Sequence, residues 1–354
     1  MLYRIYRPQS FADVVGQEHV IRTLRGAFRN DRIGHAYLFA GPRGTGKTTI
    51  ARILAKALNC EKRGKEGEPC NKCPYCTAVN EGRSLDLIEI DGASNGRVDE
   101  IRALKESAGV AATGGGYKVF LIDEVHMVTK EAFNALLKIL EEPPAHVIFI
   151  FATTDPQKIP ATILSRVQRF DFRKLTDAEI SEKLTQITKS EKLSIDPAAL
   201  VAMAAASDGA MRDAEVMLSK IISALGTKDK VTAEQAAELL GLIPIAYHAE
   251  LLTNLAENNR TSALAVVAKT VEGGISSEQF AKEFLEYLRK VLLYKIDPSL
   301  AKGEQFGIPT EKLNTLDVKR LTAMVLKFTD ARAEVKFSPI PQLPLELAVV
   351  ELTA

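Results

Sequence analysis

The chain has 354 residues, enough for two or three domains of about 100–200 residues each. Hydrophobic residues make up 46% of it and charged residues 26%, the proportions of an ordinary globular protein, and no run reaches the ~18 apolar residues that a membrane span needs. The formal net charge of +1 excludes binding to nucleic acid by bulk charge and leaves only a local patch for such a contact. The N-terminal stretch MLYRIYRPQSF has no long apolar run, so no signal peptide is expected there. A cytoplasmic location with reduced thiols is therefore expected.

From residue 36 to about 175, short apolar runs alternate with helical patterns. AYLFAG (36–41) runs into a glycine-rich turn and then KTTIARILAKALN. LDLIEID (85–91) precedes a helix with Val98, Ile101, Leu104 and Lys105 at helical spacing. YKVFLIDE (117–124) precedes a helix with Phe133, Leu136, Leu137 and Leu140 on one stripe, and HVIFIFATT (146–154) is a continuous apolar run. Such runs predict parallel strands buried on both faces in an α/β core. Beyond residue 175 the strand signals fade. Thr176 with Glu179 and Thr232 with Gln235 read as capping boxes, while Gly209 and Gly226 sit where helices would end. The spacing predicts a helical region over 177–242, with GLIPIAYH (241–248) as a connector. A second helical region covers 243–354, with KFSPIPQLPLE (336–346) as a proline-broken loop before a short final helix.

GPRGTGKT (41–48) fits G-x-x-x-x-G-K-[ST] between a strand and a helix, the context that gives the motif its meaning. Gly41, Gly44 and Gly46 let the backbone turn its N–H groups toward phosphates, with Pro42, Arg43 and Thr45 completing the loop. Lys47 would reach the β- and γ-phosphates, and Thr48 would offer a hydroxyl to Mg²⁺. The strand VFLIDE ends in two carboxylates: Asp123 suits the Mg²⁺ shell, and Glu124 suits orientation and deprotonation of water. Thr154, at the end of the next strand, either touches the γ-phosphate or water or belongs to a turn closed by Asp155-Pro156. Arg166 and Arg212 are either solvated surface charges or groups that stabilise a transferring phosphoryl.

All four cysteines lie in one basic, Gly/Pro-punctuated stretch with the spacing C-x9-C-x2-C-x2-C: Cys60, Cys70, Cys73 and Cys76. A closed set of four thiolates predicts structural zinc, with Lys62, Arg63, Lys65 and Lys72 offsetting its negative charge. An iron–sulfur cluster is the competing reading, although the further cysteine before a proline is absent; unligated thiols are the third.

Over YRIYRPQSFADVVGQEHV, HAYLFAGPRGTGKTTIARILAKALNC, FLIDEVHMV, FNALLKILEEPP, FATTDPQKIPATILSRV and GAMRDA the chain resembles the gamma/tau clamp-loader subunits of bacterial DNA polymerase III, densely over residues 1–215 and more thinly beyond. The resemblance implies an AAA+ core (1–176) whose parallel P-loop sheet carries a zinc module (60–76). A helical lid (177–242) and a helical collar used for oligomerisation (243–354) would follow. It implies an ATPase with ATP, Mg²⁺ and Zn²⁺, working in a five-subunit ring with delta- and delta-prime-type subunits and further copies of itself. That ring would open a sliding clamp and place it on primed DNA. Within the family pattern Lys47, Asp123, Glu124 and Arg166 are catalytic. Thr154 and Arg212 match the two sensor positions, and Pro8 and Val15 lie near adenine. Arg166 matches a finger acting on a neighbour's ATP, though the motif reads Ser165-Arg166-Val167 without the family's cysteine. Helix 98–110, with Arg97, Arg102 and Lys105, is the expected DNA contact. Family members often carry a C-terminal tail that binds polymerase and helicase, and the chain is expected to lack it. A nucleotide-dead scaffold is disfavoured by the intact Lys47, Thr48, Asp123 and Glu124. A DNA branch-migration motor is disfavoured by the cysteine insertion.

Overall fold

The structure, a computed structural model, describes residues 1–94, 98–226, 231–301, 306–309, 313 and 316–353. The chain divides into two compact units, Met1–Val231 and Thr232–Ala354. The first unit is built on a parallel sheet of five strands in the order β2-β3-β4-β1-β5: β1 Ala36–Ala40, β2 Leu87–Asp91, β3 Lys118–Asp123, β4 Val147–Thr153 and β5 Gln168–Asp171.

The apolar strands alternate their side chains between two cores. Tyr37, Phe39, Val119, Leu121, Ile148 and Ile150 pack with Val20, Leu24 and Phe28 of α2 (Glu18–Arg29) and Ile50, Ile53 and Leu54 of α3 (Lys47–Asn59). Leu38, Phe120, Ile122, Phe149 and Phe151 pack with Leu104 of α5 (Val98–Ala108) and Phe133, Leu136 and Leu140 of α6 (Lys130–Glu141). Burial on both faces is why these strands read as unbroken apolar runs. β5 escaped the sequence reading: it is a four-residue edge strand, QRFD, in which only Phe170 is buried. A strand with one buried position has no periodicity to detect.

Ahead of β5 lies the short α7 (Ala161–Leu164), and the same unit continues into α8 (Asp177–Ser190), α9 (Pro197–Ala206) and α10 (Met211–Leu225). The Thr176 box forms as expected: Glu179 N donates to Thr176 Oγ1 at 3.2 Å, and Thr176 N donates to Glu179 Oε2 at 2.8 Å. The Arg173 guanidinium, 2.6 Å away, holds the Glu179 carboxyl at about 2. Gly226 closes α10 at a φ of 72°. A short helix at the chain's start, α1 (Leu2–Ile5), lies against α10, with Leu2 N donating to Ser219 Oγ at 3.2 Å.

The second unit is helical: α11 (Ala233–Leu240), α12 (Ile245–Ala256), α13 (Arg260–Glu272), α14 (Ser277–Ile296), α15 (Val318–Val335) and α16 (Leu343–Leu352). Phe280, Phe284, Leu288 and Phe328 form the centre of its core with Leu251, Leu252 and Leu255. Two expected loops prove shorter than read. Residues 245–248 of the expected connector belong to α12, and the expected loop before the last helix stops at Gln342. In both cases a proline opens the helix, Pro244 as N-cap and Pro344 in the first turn, where its missing N–H costs nothing.

Gly41 joins β1 to the following loop with φ at 150°, and a Cβ there would stand 2.4 Å from the Phe172 carbonyl oxygen. Gly41→Ala is expected to lower unfolding free energy by roughly 1–3 kcal/mol, since neither backbone can move without breaking sheet pairing. A denaturant midpoint unchanged from the parent would show that this close approach is unimportant.

Candidate phosphate-binding site and metal centre

Parallel pairing sets Ala40 beside Thr153 and Asp91 beside Asp123, so the loops after β1, β3 and β4 open at one edge of the sheet. α3 begins there at Lys47, behind Gly46 at a φ of 102°. Its first-turn N–H groups and partial positive charge therefore face the cleft. Lys47 is buried, and its Nζ donates to the carbonyls of Gly41 and Pro42 at 2.7 and 2.8 Å. Burial lowers its pKa, opposed by Glu124 and Asp123. Thr48 Oγ1 donates to Asp123 Oδ2 at 2.7 Å, so the hydroxyl and the carboxylate singled out for Mg²⁺ already meet across 75 residues of sequence. Both donors are oxygens, the set a hard divalent cation takes.

Glu124 adopts left-handed backbone angles (φ 45°, ψ 44°) immediately after β3. A non-glycine residue held there stores about 1–3 kcal/mol of strain and is typical of functional sites. Its Oε2 accepts from Thr154 Oγ1 at 3.0 Å, and His126 Nδ1 lies 3.4 Å from the same oxygen. His126 Nδ1 is also 3.0 Å from Thr153 Oγ1. The sequence reading missed His126 and Thr153; nothing in the pattern separates a histidine after an acidic pair from a surface one.

The cleft is lined by Arg43 through Thr49, Asp123 and Glu124, together with Pro8, Val14, Val15, Leu175 and Met211 and with Tyr3, Arg7, Lys183, Arg212 and Glu215. Pro8, Val15 and Arg212 thus line the same cleft as the phosphate loop. The Arg212 guanidinium sits over the Tyr3 ring at 5.0 Å. Arg166 is not brought to this cleft: it pairs with Glu141 at 2.6 Å and donates to Thr162 O at 2.7 Å. Lys105 is exposed on α5; Arg97 lies outside the described residues, as does the side chain of Arg102.

The sulfurs of Cys60, Cys70, Cys73 and Cys76 all lie within 4.8 Å of one another. A tetrahedral zinc site with ~2.3 Å bonds holds its sulfurs about 3.8 Å apart, so the four could bind one zinc ion with little movement. Backbone N–H groups of Lys72 and Cys73 point at Cys70 Sγ and draw that thiol down to about 6, toward the thiolate a metal requires. Cys73 caps α4 (Pro74–Asn80), which carries Cys76 inward.

The stretch is also tied to the rest of the unit. Arg25 and Arg29 of α2 pair with Glu68 and Glu66, and Glu68 accepts from Phe11 N at 3.0 Å. Arg63 lies over Phe28 at 5.1 Å, and Gly67 approaches that ring so closely that a Cβ would stand 2.2 Å from it. A buried cation also lies near the cysteines: Lys56, 1% exposed. Its Nζ contacts Gln9 O, Gln9 Oε1, Asn71 Oδ1 and Asn80 Oδ1 at 2.7–2.8 Å. Burial draws it down to about 8, opposed by the fields of Cys76, Asp13, Cys60 and Cys70. A lysine on the helix after a phosphate loop carries no sequence signal for this role.

Among known families, the model described as DNA polymerase III, delta subunit, matches residues 16–176. The DNA polymerase III clamp loader subunit ATPase lid domain matches 179–224, and DNA polymerase III subunits gamma and tau domain III matches 231–354. DNA polymerase III subunit gamma of Buchnera aphidicola is 36% identical over 361 residues, covering 99% of this chain and 97% of that protein. The chain belongs to the DNA polymerase III gamma/tau family. Subunit tau of Bacillus subtilis is 42% identical over 99% of this chain, and that of Escherichia coli 38% over 100%. The chain spans 62% and 55% of the lengths of those two relatives. The solved Thermotoga maritima RuvB Holliday junction branch migration motor superposes with a TM-score of 0.50 at 20% identity, covering 72% of this chain and 80% of that one. It shares the AAA+ fold: the parallel sheet with a helical lid. Among the described residues no helix is long and apolar enough to cross a membrane.

Burial raises the Glu215 carboxyl to about 7 from an ordinary value of 4.5, with Lys183 and Arg7 pulling the other way. Between those two values the folded chain holds a proton that the unfolded chain has released. Stability therefore falls as pH rises from about 4.5 to about 7 and is flat above. Glu215→Gln should remove that fall, a difference of up to about 3 kcal/mol between the two proteins' pH profiles. Parallel slopes for both in denaturant unfolding at pH 5 and pH 8 would contradict it.

Proposed function

We propose that the chain is an ATP-hydrolysing motor subunit of the DNA polymerase III clamp loader. ATP binding and hydrolysis in the cleft of the first unit would drive opening of a sliding clamp and its placement on primed DNA. The observation that carries this reading is the convergence at the phosphate loop: Thr48 on Asp123 at 2.7 Å, with Glu124 beside them in contact with Thr154 at 3.0 Å.

In this reading the N–H groups of residues 41–48 and the Lys47 ammonium bind the phosphates, and the lysine leaves the Gly41 and Pro42 carbonyls to do so. Thr48 and Asp123 would hold Mg²⁺, which supplies charge neutralisation at the phosphates. Glu124 takes the proton of the attacking water, and Thr154 orients its carboxylate. Arg212 reaches the phosphates from α10, and Pro8 and Val15 pack on the base. Arg166 serves a neighbouring subunit's site, consistent with its distance from this cleft. The assembly we propose contains delta- and delta-prime-type subunits and further copies of this chain in a five-membered ring, with Lys105 and its neighbours on α5 facing DNA phosphates. Residues 1–176, 177–242 and 243–354 serve as core, lid and collar. The four cysteines hold one structural zinc, with the buried Lys56 offsetting the net negative charge of a tetrathiolate centre.

Steady-state ATP hydrolysis, with and without partner subunits, clamp and primed DNA, tests the motor. Lys47→Ala should abolish it with the fold intact. Glu124→Gln should bind ATP and hydrolyse it ~10²-fold more slowly or worse. Arg166→Ala should bind ATP normally alone and lose ~10³-fold in the assembled ring. Normal turnover in the Lys47 variant would refute the assignment.

Metal analysis tests the cysteine site. Protein prepared without chelator should carry about one zinc per chain and no iron–sulfur colour. Cys73→Ser should lower the metal content. Because Lys56 ties the loop to Gln9, the neighbour of Pro8, this variant should also weaken ATP binding severalfold. Metal below ~0.2 equivalents in the parent would rule out the closed site.

A further inference from the structure

The cleft lining combines the loop N–H groups, Lys47 and the acidic pair with an apolar wall that includes Pro8, Val14, Val15 and Leu175. An apolar wall supports a flat ring without distinguishing one base from another. The lining holds three carboxyls: Asp123 and Glu124 of the acidic pair, and Glu215. Glu215 stands three residues after Arg212 on α10, on the same helix face and about 4.5 Å further along the axis.

Glu215 is 5% exposed. Among the described residues its side chain has no hydrogen bond and no ion pair. Lys183 of α8 and Arg7 of the N-terminal segment are the cations whose fields reach it. Arg7 in turn feels Arg52, Glu89, Arg212 and Glu215, and is itself drawn down by burial. A buried carboxyl without a partner is costly to the fold. Its position on a ligand cleft gives that cost a purpose, because a carboxylate accepts hydrogen bonds from donors on whatever fills the cleft.

We propose that Glu215 is the specificity-determining residue of the nucleotide site: it reads the nucleoside half by accepting hydrogen bonds from donor groups there, the exocyclic amino group of adenine or the hydroxyls of the sugar. This rests on the reading of the cleft as an ATP site. A site built to bond a donor rejects the analogue that lacks it far more strongly than an apolar wall can.

The test is equilibrium binding of the full chain, with Mg²⁺, to ATP, 2′-deoxy-ATP, 3′-deoxy-ATP and inosine triphosphate, which has a carbonyl where adenine has its amino group. The parent should bind ATP ~10–100-fold more tightly than at least one analogue, and that analogue identifies the donor. Glu215→Leu should lose a similar factor for ATP and bind the same analogue as the parent does, erasing the preference. Its melting temperature without nucleotide should hold or rise, which separates lost recognition from lost structure. If the leucine variant does not fold, Glu215→Gln gives the same comparison: its amide donates as readily as it accepts, so the preference should fall severalfold. A variant that keeps the parent's ratio of ATP to every analogue overturns the proposal. So does one that weakens all four nucleotides equally, which would mark Glu215 as a packing or latch residue. A parent that binds no ATP, or Lys47→Ala binding as tightly as the parent, would instead remove the ATP reading, and this proposal with it.

Discussion

Parallel pairing of β1 with β4 and of β3 with both β2 and β4 is the constraint on which the site depends. Because strands in a parallel sheet all run one way, their carboxyl ends share an edge. Gly41, Glu124 and Thr154 follow three different strands far apart in sequence, and the sheet delivers them to one place. The register is tight there: Gly41 N donates to Thr153 O at 3.1 Å, and Gly92 N donates to Asp123 O at 2.8 Å. The two aromatic-rich cores on either side fix that register, since a slip of one residue would exchange every inward side chain between faces.

Against that rigid edge the first residues of the chain act as a tie. α1 rests on α10, Tyr3 covers Arg212, Arg7 and Pro8 reach the cleft, and Gln9 is held by Lys56. Lys56 is in turn bonded to Asn71 and Asn80, which lie on either side of the third and fourth cysteines. The cysteine centre, the apolar wall of the cleft and the lid helix are therefore linked through one short segment. In the proposed motor, this physical route lets the metal centre stabilise the nucleotide pocket without touching nucleotide.

The polar groups of the first unit divide by whether they are satisfied. Glu179 is fully bonded by Arg173 and Thr176 and stays ionised far below its ordinary range. Among the described residues Glu215, on α10, lacks such partners, and burial raises its carboxyl to about 7. Two glutamates in one helical subdomain thus shift in opposite directions because one is closed in a cap and the other lines a cleft without a bonded partner.

The sequence by itself determined the α/β core, because β1 to β4 are buried on both faces and leave unbroken apolar runs. It also determined the phosphate loop and the grouping of the cysteines, whose chemistry requires particular residues at fixed spacing. The Thr176 and Thr232 boxes were legible for the same local reason. Tertiary structure alone decided the rest. β5 exists because β1 offers it an edge, not because QRFD favours a strand. Lys56 became a buried cation near the cysteines, and Glu215 a carboxyl at the cleft with no bonded partner among the described residues, through the packing of elements distant in sequence. Burial and the identity of a charge's neighbours are properties of the assembled fold. No local pattern encodes them, because a lysine on a helix or a glutamate one turn past an arginine is written the same way whether water or protein surrounds it.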